Sequence, residues 1–163
     1  MKTEKSKTKN MRKYESYKLA FDMIDEGIAG NCPLQSIAVE ESILTDRISS
    51  TLNAGKQNAS PANSLGHALR QWHPQKGSPD PNSALFDEKM EELFPRLDAW
   101  RKERNALLHA IVKSAQGDEP ETPASEFLLR AMKAAKDGLA LVRKVDKWTK
   151  RQIRKAVKVN IEK

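Results

Sequence analysis

The chain has one cysteine, three histidines and seven glycines among 163 residues, and only 6% of its residues are aromatic. A lone Cys32 excludes an intramolecular disulfide and a cysteine-based zinc cluster, which fits a reducing compartment. His67, His73 and His109 have neither HxxxH nor HxH spacing, so neither a metal nor another cofactor is expected. Gly66 and Gly77 stand alone, which leaves no glycine-rich phosphate loop. No nucleophile elbow supports Ser/His/Asp catalysis, and Cys32 lacks an electropositive neighbour that would make it a reactive thiol. Aromatic residues are too few for a base-stacking single-strand platform. No apolar run approaches the roughly 18 residues of a membrane span, and the lysine-rich start has no apolar stretch behind it. The expectation is a soluble, cytoplasmic protein with no membrane contact.

Positive charge is what the chain has in excess, +7 overall, and it sits at the two ends. Residues 1–18 carry seven Lys/Arg against two Glu, and residues 143–163 carry nine against two acids, so the centre is at −5. Basicity confined to the ends suggests polyanion contact through them, the alternative being two solvated tails.

The length suits one domain with its own core. Residues 1–10 are lysine-rich, almost free of apolar side chains, and read as a disordered basic segment. Apolar residues then recur every three or four positions, predicting helices over about 11–29, 33–52, 61–72, 84–113 and 124–157. Gly30-Asn31 supplies a stop, and Pro95 either kinks the fourth helix or begins a new one. The intervening segments 53–60, 73–83 and 117–123 carry loop residues. No segment alternates with period two, so the fold class is all-α, an up-and-down bundle of four to five helices. The helical domain should span 11–146, followed by a basic helix end or tail over 147–163.

Two charges fall on apolar stripes. At about 100° per residue, Arg104 lies near the centre of the arc formed by Leu93, Leu97, Trp100, Leu107, Leu108 and Ile111. Glu41 lies within the stripe of Leu34, Ile37, Leu44, Ile48 and Leu52. A lone buried charge costs several kcal/mol, so a Glu41–Arg104 contact is expected, either as an ion pair that holds helix register or as a device that fixes the guanidinium. Alternatively, the Arg104 stripe faces a subunit interface, where arginine is enriched. Asn105 and His109, four residues apart, share a different face and could cooperate.

Arg104 and His109 place a fixed cation suited to phosphate and a neutral-pH proton carrier within six residues. The run Arg104-Asn105-Ala106-Leu107-Leu108-His109 resembles the signature of HEPN-domain ribonucleases: an arginine, a polar residue, and a histidine four to six positions beyond the arginine. The resemblance implies an all-α domain that dimerises so that two copies of the motif line one cleft, and metal-independent cleavage of RNA. It implies that Arg104 holds the scissile phosphate and that His109 acts as general base or acid. Asn105 would orient the histidine or the phosphate, and Glu41 would support Arg104. The products would be a cyclic phosphate and a 5′-hydroxyl, and DNA would survive for want of the 2′-hydroxyl. It further implies a toxin or phage-defence setting with an antitoxin or regulator as partner. The signature of some toxin members departs from this chain, which has Glu103 just before the arginine and Ala99 at the upstream acidic position. The competing reading is a catalytically silent HEPN-like module that dimerises or binds RNA or protein.

The C-terminal cations Lys147, Lys150, Arg151, Arg154, Lys155 and Lys158 interleave with Trp148, Ile153 and Val157. They are candidate RNA contacts along a phosphate backbone. A membrane surface, an acidic partner groove and a solvated helix end are the alternatives.

Overall fold

A computed structural model describes residues 4–53, 61–72, 88–115 and 123–161, with side chains over 11–53, 61–72, 92–111, 123–152 and at 154. Five helices make up the fold: α1 (Glu4–Ala29), α2 (Pro33–Leu52), α3 (Leu65–Trp72), α4 (Glu88–Ala115) and α5 (Ala124–Ile161). The class is all-α, and no strand occurs among the described residues. Helix α1 begins at Glu4, so most of the basic segment expected to lack order is helical. Helix α3 begins four residues later than its apolar pattern predicts. Ser64 caps it, its Oγ accepting the His67 N–H at 3.2 Å. Pro95 neither ends nor restarts α4, which runs through it. The expected loops at 54–60, 73–83 and 117–122 lie outside the described residues.

The α1–α2 corner is built on a left-handed residue. Asn31 has φ 54°, and the Cys32 N–H reaches back to the Gly27 carbonyl at 2.8 Å. This is the six-to-one bond that closes a helix when asparagine takes the position glycine usually fills. Pro33 then opens α2 where its missing N–H costs nothing. Gly27 lets the helices approach, because a Cβ there would strike Ser36, whose hydroxyl donates to the Ile24 carbonyl at 2.9 Å.

Helix α2 is the hub. It packs most extensively on α5, then on α1 and α3, while α4 rests on α5 and α3. Its Ile37, Ile43, Leu44 and Ile48 meet Ile24 of α1, Leu65 and Leu69 of α3, Leu97, Trp100 and Leu107 of α4, and Val142 and Val145 of α5 in one core. Burying each such side chain contributes about 1.5–3 kcal/mol. Trp148 closes the lower end: it is 3% exposed and its ring lies 5.8 Å from Trp72, which meets Phe94 edge-on at 5.6 Å. Trp148 is therefore a core residue, not an element of the basic surface with which it alternates.

Candidate functional site

Glu41 on α2 and Arg104 on α4 form an ion pair, with side chains only 17% and 20% exposed. Arg104 also donates from Nη1 to Asn105 Oδ1 at 2.6 Å. Burial pulls the guanidinium below its usual pKa, yet an arginine stays charged across the working pH range. Its charge is thus answered on two sides by oxygen acceptors. Asn105 gives its carbonyl to Arg104, and no hydrogen bond joins it to His109 among the described residues, although the four-residue spacing suggests one. His109 is exposed and lies about 140° around the helix from Arg104.

Glu41 and Arg104 form one wall of a polar groove of about 680 Å³ between α2 and the lead into α3. Ser42, Thr45, Ser49, Asn53 and Asn63 line it further, whereas Asn105 and His109 do not. This groove thus holds the arginine without the histidine. Leu108 and Ile111, expected to face inward, are 39% and 37% exposed on the part of α4 that carries His109.

The C-terminal cations divide. Lys147 and Arg154 are exposed and Arg151 is half-buried. Lys150 sits 2.6 Å from Asp146, which also takes Arg47 Nη2 at 2.7 Å. The Arg47 guanidinium in turn lies 3.9 Å from the centre of the Tyr17 ring. The side chains of Lys155 and Lys158 fall outside the described residues, though the helix carries both. His67 is held at both ring nitrogens, by Asn63 and Gln71 at 3.1 Å each. No group of three or more His, Cys, Asp or Glu side chains that could hold a metal ion occurs among the described residues. Nor is any described helix long and apolar enough to cross a membrane.

One charged residue is invisible to apolar periodicity. Glu40 is fully buried, and neither carboxylate oxygen has a hydrogen-bond partner. It faces α5 at Gly138, where a Cβ would collide with its carboxylate and lie 2.8 Å from Trp100 Nε1. Trp100 Nε1 itself donates to the Ala134 carbonyl at 2.8 Å. Desolvation raises the Glu40 pKa to about 8, the nearby Leu139 backbone acting in the opposite direction. The same desolvation favours the protonated, neutral form of Glu40. It lies one residue from Glu41 but faces a different helix.

No family model, no curated protein and no solved structure matches the chain.

Proposed function

We propose that the chain is a HEPN-like helical module that binds RNA and, as a single chain, does not cut it. The observation that carries this reading is the closure of Arg104 between Glu41 and Asn105, facing away from His109. A phosphate-gripping arginine needs its donors directed at the substrate, and a general base must come within about 3 Å of the proton it removes. Side chains set about 140° apart do not bring the two groups to one phosphate within a single chain. RNA contact falls to the basic end of α5, where Lys147, Arg151 and Arg154 rise from a helix whose opposite face is core.

A second reading keeps the chemistry and moves it to a homodimer. Leu108 and Ile111 flank His109 as exposed apolar side chains, a surface that a second copy could cover. His109 of one copy would then act on the 2′-hydroxyl beside Arg104 of the other, in a toxin or phage-defence ribonuclease. Incubation of labelled RNA with the protein in EDTA separates the readings. The module retards RNA and leaves it intact. The dimeric enzyme cleaves it, and His109→Ala abolishes the cleavage.

A further inference from the structure

Helix α5 is 38 residues long, and between Ala131 and Arg154 its described side chains divide into two different faces. Ala131, Ala134, Ala135, Gly138, Leu141, Val142, Val145, Trp148, Thr149 and Gln152 are buried along one side. Diametrically opposite lie Lys133, Lys136, Arg143, Lys144, Lys147, Lys150, Arg151 and Arg154, all within an arc of about 120°. Seven of the eight are exposed and Arg151 is half-buried. Lys133 is paired with Asp137 and Lys150 with Asp146. The other six have no ion-pair partner among the described residues. The stripe therefore starts nearly four turns before the basic tail that begins at residue 147, and it runs for about 32 Å.

We infer that this outer face of α5 is a docking rail for the phosphate backbone of a nucleic-acid duplex. The inference rests on the reading of the chain as an RNA-binding module and extends that surface beyond the tail. Three features select the partner. First, the face from Lys133 to Arg154 presents no aromatic side chain, so it offers none of the stacking that single-strand binders use. Second, between Lys133 and Arg154 it presents no large apolar side chain either, the exposed Leu128 and Leu129 of α5 lying before that stretch. A membrane-surface helix needs such residues to enter the lipid boundary. Third, a rigid rod of cations about 32 Å long suits a polyanion that is already rigid. A duplex presents one charge per roughly 1.7 Å of axis without paying to straighten a flexible strand. Readout of this kind is blind to sequence, since cations on phosphates position a protein without identifying bases.

The test titrates the full chain, and the variant Lys136→Ala/Arg143→Ala/Lys144→Ala, whose three changes all precede the tail, against four probes over a range of salt. The probes are a 20-base-pair RNA duplex, the DNA duplex of the same sequence, one RNA strand alone, and vesicles containing phosphatidylserine. The three positions are exposed and alanine favours helix, so far-ultraviolet circular dichroism should match wild type. The rail predicts tighter binding to duplex than to single strand. It predicts a loss of about 10- to 100-fold in the variant, with the salt slope falling by about 2 to 3. Equal binding of both duplexes makes backbone charge the recognised feature, and preference for RNA adds A-form shape; either outcome supports the rail. An unchanged variant, or a preference for single strand, overturns the rail while leaving RNA binding by the tail intact. Binding to vesicles but to no duplex also overturns it, and binding to no nucleic acid overturns both readings.

Discussion

Replacing Glu40 by glutamine should change how the protein's stability depends on pH more than any other single change to its core. The carboxylic acid is fully buried against Gly138 and Trp100, and its two oxygens lack hydrogen-bond partners. Desolvation lifts its pKa from 4.5 to about 8. The folded state therefore holds the proton more tightly than the unfolded chain does. Its contribution is fully present below about pH 4.5, declines as pH rises from there through about 8, and is level above. The interval corresponds to on the order of 5 kcal/mol, comparable with the entire stability of many domains. Glutamine keeps the shape and cannot ionise, at a pH-independent cost of about 1–3 kcal/mol for an unpaired buried amide. Urea unfolding of both proteins at intervals from pH 5 to 9 measures the effect, and their difference cancels every other carboxylate. The variant should be the less stable protein near pH 5 and the more stable one near pH 9. A difference that stays constant from pH 5 to 9 would refute the reasoning, because it would mean that Glu40 reaches water or a partner when charged.

Two further substitutions probe the same helix junctions. Gly138→Ala drives a methyl group into the Glu40 carboxyl and within 2.8 Å of Trp100 Nε1, and should cost about 1–3 kcal/mol. Combining it with Glu40→Ala should recover part of that loss in the same urea assay, whereas simple additivity would mean that the two side chains do not share space. Glu41→Gln or Arg104→Met should each cost about 1–3 kcal/mol by stranding a half-buried charge. The double variant should be less damaging than the sum of the two, and a coupling near zero would show that the pair does not form in solution.

The helices were legible because each carries apolar residues at three- and four-residue spacing, and Gly30-Asn31 marked the first corner down to the residue with positive φ. The Glu41–Arg104 contact was also legible, since two opposite charges on apolar stripes have few other ways to be satisfied. Glu40 was hidden for a complementary reason. Helix α2 is covered on a second side by α5, and there it presents Glu40 and Thr51, which an apolar wheel does not count. Asn105 was assigned to His109 because a wheel gives faces, while the rotamer that takes Oδ1 to the neighbouring Arg104 is a tertiary matter. Leu108 and Ile111 belong to the inward stripe of α4 by phase, yet they remain exposed. Helix α3 is only eight residues long and cannot cover all 28 residues of α4. Trp148 falls inward on the apolar spacing of the last helix although it sits in a run of lysines, and its partner Trp72, distant in sequence, accounts for its burial.

The same long-range packing decides how a tail test must be made. Removing residues 148–163 would take Trp148, Thr149 and Gln152 out of the core along with the cations. Charge-neutralising substitutions on the exposed side of α5 alter binding without that damage.

The central claim is that the chain holds RNA without cutting it, and one gel tests it directly. Labelled RNA is incubated with purified protein in EDTA and resolved both under native conditions and after denaturation, beside the His109→Ala variant. A retarded band in the native gel, full-length RNA in the denaturing gel, and no difference between the two proteins are expected. Cleavage by the wild type that disappears in His109→Ala, or the absence of any retarded band, would contradict it.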